Sequence, residues 1–167
     1  MLNVFSRVTL YLSVLMGTSA LAQGSLRTNA DPAQEDLVRA LLNIDKVILA
    51  IAEILDSYGQ ESTPSPDRPM EHDDLAHSIL NILIRETTSL SEYVQNALTF
   101  PEGSTEYDNA INISCVKARG AFQKAKIAAE VAKKPPVGTI KESDIKERIM
   151  NVLQNVVLRD LRCGREP

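Results

Sequence analysis

The sequence predicts an all-α fold, an antiparallel up-down four-helix bundle closed by one disulfide. Apolar residues recur at alternating spacings of four and three in four separate segments, and this spacing lines one side of a helix. Aromatic residues make up only 4% of the chain, which favours an aliphatic helical core. Short connections favour antiparallel neighbours. The predicted helices are 31–58, 70–98, 105–133 and 140–162.

The first helix has a clear start and a continuous apolar stripe. Asp31 is a good N-cap and Pro32 suits the first helical position. Gly59 ends the segment. We expect Val38, Leu42, Leu49 and Ala52 to widen the buried stripe. Its central seam is Leu37, Leu41, Ile44, Ile48, Ile51, Leu55 and Tyr58.

The second helix follows a linker, residues 60–69, that contains three prolines and cannot be helical throughout. The run Thr87–Ser89 is a weak centre, because these hydroxyls compete for backbone hydrogen bonds and can bend or break a helix. The seam of this helix is Ala76, Leu80, Leu83, Thr87, Leu90, Val94 and Ala97.

The third helix opens at Ser104 or Thr105 and ends before Pro135. Its alanine-rich seam permits close approach of a neighbouring helix. Gly120, inside the segment, lowers helix propensity by about 1 kcal/mol relative to alanine. The seam is Ile111, Cys115, Ala118, Phe122, Ala125, Ala129 and Ala132.

The fourth helix begins with Thr139 and Glu142 in the spacing of a capping box. Gly164 is placed to cap its C-terminal end. Its broad apolar face consists of Ile145, Ile149, Val152, Leu153, Val156, Val157 and Leu161.

The two cysteines of the chain test this topology. The last hairpin turns near Val137, with Cys115 about as far before the turn as Cys163 lies after it. In an antiparallel hairpin the two residues therefore sit at nearly the same height. We expect a structural disulfide that clamps the last two helices, rather than a redox-active pair, which usually has a Cys-x-x-Cys spacing.

The first 22 residues have the features of a secretory signal peptide. Arg7 precedes the apolar run 8–16, and Ala20-Leu21-Ala22 forms a cleavage pattern. We therefore expect an exported protein, periplasmic or extracellular, without a transmembrane span after cleavage. Export to an oxidising compartment suits the disulfide. The expected domain organisation is a flexible segment at 23–30, a bundle domain at 31–163 and a tail at 164–167.

Charge is divided unevenly along the chain. The net charge is −4, but residues 23–108 carry 5 Lys/Arg against 16 Asp/Glu, whereas residues 109–167 carry 12 against 6. The acidic total argues against a nucleic-acid partner. The third helix holds a basic face that either pairs with the acidic first helix or docks an anionic partner. Its residues are Lys117, Arg119, Lys124, Lys126 and Lys133.

A candidate metal site lies at the start of the second helix. Asp73 and His77 are four residues apart and share one side of a helix, and His72 is a further candidate ligand. The competing interpretation is that the acidic residues only complement the helix dipole and the histidines are solvated.

No local motif indicates catalysis. The sequence contains no Gly-x-Ser-x-Gly, His-Glu-x-x-His, P-loop or Gly-x-Gly-x-x-Gly pattern, and no cofactor is expected. Two hypotheses follow. The first is an exported, non-enzymatic protein that binds a protein partner in an accessory, chaperone-like or immunity-type role. The second is a bundle that binds a small ligand or metal. Unbroken heptads can also run between chains, so a homodimer stays open.

Overall fold

The computed structural model describes residues 32–61, 71–134 and 139–164, which contain helices and no strand. The first three helices are α1 (Pro32–Glu61), α2 (Glu71–Ala97) and α3 (Thr105–Ala132). The fourth, α4, spans residues 142–160. The predicted signal peptide (1–22), the predicted flexible segment (23–30), Asp31 and residues 165–167 lie outside the described residues. Within the described ranges, no helix is long and apolar enough to cross a membrane.

The four helices form one antiparallel bundle. Each helix packs against the next in the chain, and α4 packs back against α1. The most extensive contact is between α2 and α3. The alanine-rich interior of α3 explains this, because small side chains let two helix backbones approach. The predicted fold class is confirmed.

The seam of α2 is buried along its whole length. All seven predicted residues, from Ala76 to Ala97, are inaccessible to solvent. The helix runs unbroken through Thr87–Ser89. The Thr87 hydroxyl donates to the carbonyl of Leu83 at 2.9 Å, which satisfies it inside the core. The predicted weak centre therefore does not interrupt the helix.

The buried stripe of α1 widens on the flank opposite to the predicted one. The seam is buried or half-buried as expected. The prediction for Val38, Leu42 and Leu49 is wrong, because all three are exposed, and Ala52 is only half-buried. The core extends instead to the other side, which faces α4. Its additional buried residues are Asp36, Ala40, Val47, Ala50 and Ile54.

Ser104 starts α3, as one of the two predicted positions. Its hydroxyl accepts a hydrogen bond from the backbone N–H of Tyr107 at 3.1 Å. The preceding turn uses Gly103 at φ 76°, a left-handed conformation that glycine adopts without a steric penalty. The start of this helix is therefore specified locally by two adjacent residues.

The fourth helix begins at Glu142, three residues after Thr139. Its N-cap is Lys141 rather than the predicted Thr139, and the Lys141 side chain makes no capping hydrogen bond. Ile140, just before the helix, is buried in the core. Glu142 pairs with Lys146, one turn along the helix.

Two π-helical stretches interrupt α4. The helix consists of Glu142–Ile145 (α), Lys146–Met150 (π), Asn151–Asn155 (α) and Val156–Asp160 (π). A π turn holds more residues than an α turn, because its hydrogen bonds run from i to i+5. Ile145, Ile149 and Leu153 are spaced by four throughout, and all three remain fully buried. The wider turns keep these three residues on one side of the helix.

Cys115 and Cys163 form the predicted disulfide. Their Cα atoms are 5.4 Å apart, and the sequence separation is 48 residues. The bond joins the middle of α3 to the chain just beyond α4. It therefore closes the second half of the bundle.

We expect the double variant Cys115→Ala/Cys163→Ala to lose about 4 kcal/mol of unfolding free energy, because a cross-link over a loop of this length restricts the unfolded chain. Denaturant titration of the mature protein measures the change. Wild-type protein with its disulfide reduced is the control and should unfold at a similar midpoint. If the double variant and the reduced wild type both unfold at the midpoint of the oxidised wild type, the disulfide contributes nothing to stability.

Candidate functional site

The structure divides the basic face of α3 into two sides. Lys117 and Lys124 lie on the side facing α2. The ammonium nitrogen of Lys117 is 4.9 Å from the ring centroid of Tyr93, a cation–π distance. The Nζ atom of Lys124 is 2.8 Å from a carboxylate oxygen of Glu86. These two lysines are thus engaged by α2.

Pairing with the acidic first helix is one of the two alternatives for this face, and no ion pair in the described ranges joins the face to α1. Lys124 finds its carboxylate on α2 because α3 packs between α2 and α4, whereas α1 lies diagonally across the bundle. Sequence charge alone does not indicate which helices become neighbours. The negative charge of α1 is used elsewhere, at its contact with α4.

Arg119, Lys126 and Lys133 follow one another at seven-residue intervals on the other side of α3, toward α4. The Arg119 guanidinium donates to the carbonyl of Gly164, next to the disulfide. Lys126 and Lys133 are exposed. Neither forms an ion pair with a side chain in the described ranges. These two lysines are the part of the predicted basic face that points to solvent.

The candidate metal residues are only partly described. The side chains of His72 and Asp73 lie outside the described residues. The ring of His77 packs against Tyr58 with centroids 4.7 Å apart. The Tyr58 hydroxyl in turn donates to Asp74 at 2.5 Å. The described side chains contain no group of three potential ligands. A metal site here stays a prediction. Measuring the metal content of the wild-type protein and of the His77→Ala variant tests it.

A polar cluster that the sequence did not predict lies where α1 meets the end of α4. The Asn43 amide donates to the carboxylate of Asp160 at 2.7 Å, and Asp160 is only 4% exposed. Arg39 lies 3.1 Å from Asp36 and 4.0 Å from Asp160. The Arg162 guanidinium donates to the second oxygen of Asp36. Two carboxylates are thus balanced by two guanidinium groups, which lowers the free-energy cost of their burial.

A weak signal for this cluster exists in the sequence. Asp36 and Asn43 are seven residues apart, so two polar side chains occupy the same flank of the α1 seam. Polar residues at such positions usually face solvent. Only the position of α4 shows that this flank is covered.

The chain leaves α4 through Arg162 rather than through the predicted cap Gly164. Arg162 adopts φ 48°, a left-handed conformation that is uncommon for residues with a side chain. The backbone N–H of Cys163 donates to the carbonyl of Val157 at 2.9 Å. The turn comes two residues earlier than predicted because Cys163 has to reach Cys115. The ion pair with Asp36 helps to hold Arg162 in this conformation.

An ion pair at the start of α4 joins the half-buried Glu142 to the exposed Lys146. The hydrogen bond from Lys146 lowers the pKa of Glu142 below its ordinary value, and the nearby charge of Lys133 lowers it further. The same hydrogen bond raises the pKa of Lys146. A lowered carboxyl pKa adds stability above the ordinary pKa of that group, and the contribution is lost as the pH falls. Because Lys146 is exposed to solvent, the effect on folding is small.

Comparison of the chain with protein-family models, curated proteins and solved structures found no significant match.

We expect Asn43→Ala to lower the unfolding free energy by about 1–3 kcal/mol, because the buried Asp160 carboxylate loses its 2.7 Å hydrogen bond and keeps only the Arg39 guanidinium at 4.0 Å. The exposed Asn155→Ala on α4 is a matched control with a similar gain in helix propensity. Denaturant titration of both variants isolates the buried contact. Equal stability of the two variants would contradict a structural role of this hydrogen bond.

Proposed function

We propose that this chain is an exported, non-enzymatic helical bundle that binds an acidic protein partner outside the cytoplasm. The observation that carries the proposal is the exposure of Lys126 and Lys133 on one side of α3, since neither lies within ion-pair distance of a carboxylate in the described ranges. Beyond that distance Lys133 acts on Glu142, whose pKa is lowered by the hydrogen bond from Lys146 and further by the charge of Lys133. An accessory, chaperone-like or immunity-type role fits a protein that acts by presenting a helix face.

The cationic side of α3 with Lys126 and Lys133 is held rigidly against the rest of the bundle, which supports a binding role. Arg119 begins the same line of residues and is held by the carbonyl of Gly164. The disulfide from Cys115 to Cys163 lies beside it. A rigid helix loses less conformational freedom on binding than a flexible loop does. Two adjacent cations on such a helix also accelerate encounter with an acidic surface.

Two features support the location. The N-terminal residues predict export, and a structural disulfide is stable in oxidising compartments but rare in the cytosol. A partner is therefore sought among extracytoplasmic proteins.

We expect charge reversal in Lys126→Glu/Lys133→Glu to abolish capture of the partner, because two attractive contacts become repulsive. The mature protein is immobilised and exposed to the native extracytoplasmic fraction, and retained proteins are quantified by mass spectrometry. The wild type should retain one acidic protein stoichiometrically and release it at elevated salt.

Arg85→Glu/Arg159→Glu is the matched control, since these two arginines are exposed on α2 and α4 and their replacement makes the same total charge change. It should retain the partner as the wild type does. Equal retention by the double variant would contradict the assignment of the face. Loss of binding in the Arg85→Glu/Arg159→Glu control alone would place the interaction on another helix.

A further inference from the structure

Gly120 in the middle of α3 has no steric explanation within the chain. It is helical, and a Cβ atom built on it would meet no atom within 4 Å outside its own helix backbone and chain neighbours. Glycine is unfavourable inside a helix, and alanine would fit here. Glycine in such a place commonly permits the close approach of another backbone. In this structure no helix approaches it from that side, since Gly120 lines a surface depression.

Gly120 is the centre of a line of residues that faces away from the core. Residues at seven-residue intervals share one side of a helix within a small drift. Ile113 and Ile127 lie seven residues on either side of the glycine and are 42% and 54% exposed. The line continues to the exposed Glu106 in the first turn of α3 and, two residues beyond Ala132, to the exposed Lys134. The backbone N–H of Lys134 still donates to the carbonyl of Val131 at 3.1 Å, so the chain keeps a helical turn up to this residue. We call this line the α3 stripe: Glu106, Ile113, Gly120, Ile127 and Lys134.

Further apolar residues border the α3 stripe. Val116 is 69% exposed, the highest value among the large apolar residues of the described ranges. The contacts of Lys117 with Tyr93 and of Lys124 with Glu86 fix the antiparallel register of α2 and α3. At that register the exposed Ile82 of α2 lies level with Ile127. Toward α2 the stripe is bordered by charged side chains, since Glu86, Lys117 and Lys124 line the depression at Gly120 together with Val116.

The α3 stripe is complementary to itself when reversed. A two-fold axis through Gly120, perpendicular to α3, places Ile113 opposite Ile127 of the partner subunit. The same axis places Glu106 opposite Lys134 of the partner subunit. Both pairs occur twice, as a symmetric dimer interface requires. Within the described ranges, neither Glu106 nor Lys134 has an ion-pair partner in its own chain.

We propose that a second copy of this chain docks on the α3 stripe in antiparallel orientation, with the two-fold axis at Gly120. The missing side chain at the axis lets the two backbones approach, the isoleucines cover each other on both sides, and the end charges select the antiparallel register. The proposal does not depend on the acidic partner, because Lys126 and Lys133 lie on a different side of α3.

The first test is the oligomeric state of the mature, oxidised protein by sedimentation velocity over a concentration series. The wild type should form a dimer. Ile127→Glu should weaken it by about 100-fold, since it buries two unpaired charges per dimer. Leu158→Glu is the matched control: Leu158 is exposed on α4, and its replacement should leave the dimer intact. A wild type that stays monomeric up to about 1 mM overturns the proposal, as does a dimer that withstands Ile127→Glu.

The second test uses the glycine. Gly120→Ala should raise the melting temperature of the protein at a concentration where it is monomeric, because alanine favours the helix and fits the structure. Gly120→Leu should weaken the dimer at least tenfold by separating the two backbones. Circular dichroism of both variants checks that they remain folded. If Gly120→Leu dimerises as tightly as the wild type, the two-fold axis does not pass through Gly120 and the proposed geometry is overturned.

The third test uses the charges and reports the orientation. Glu106→Lys and Lys134→Glu should each weaken self-association, by about tenfold, because each variant places like charges opposite each other. An equimolar mixture of the two variants should dimerise as the wild type does, since every end pair is then attractive. Recovery in the mixture supports the antiparallel register. Its absence, with both variants folded, overturns that register.

Discussion

The bundle depends on how the C-terminal end of α4 is held. The disulfide from Cys163 ties it covalently to α3, and the buried Asp160 and the Arg162 guanidinium tie it to α1. These contacts come within four consecutive residues of the chain. Because α4 packs between α1 and α3, fixing its end closes the ring of helices. The connection is thus covalent on one side and electrostatic on the other.

The geometry of α4 follows from its apolar spacing and from this attachment. A regular helix would turn apolar residues spaced by four gradually away from the core, and the π turns correct this drift. The left-handed Arg162 then ends the helix early enough for Cys163 to meet Cys115. The π turns thus follow from the apolar spacing, whereas the left-handed turn at Arg162 follows from the two partners of the C-terminal end. The conformational strain is offset by a cross-link and an ion pair.

The three sides of α3 that lie outside the core have different surroundings. Toward α2 its lysines are engaged by Tyr93 and Glu86. Toward α4 it presents exposed cations to solvent, and between these sides runs an apolar line centred on Gly120. The two proposals assign an acidic partner to the cationic side and a second copy of the chain to the apolar line. Both can operate together, because one helix presents the two surfaces in different directions.

The sequence by itself determined the four helices, their seams and the cysteine pair, because periodicity, caps and spacing along the chain are local properties. It did not determine which flank of a seam is covered. Val38 and Leu42 are as apolar as the core residues, yet the neighbouring helix lies on the other flank, over Asp36 and Asn43. The charge partners of α3, the polar cluster and the early turn at Arg162 were likewise decided by tertiary structure. A heptad seam specifies the direction of the core, whereas the position of each neighbour around it depends on how all four helices pack together.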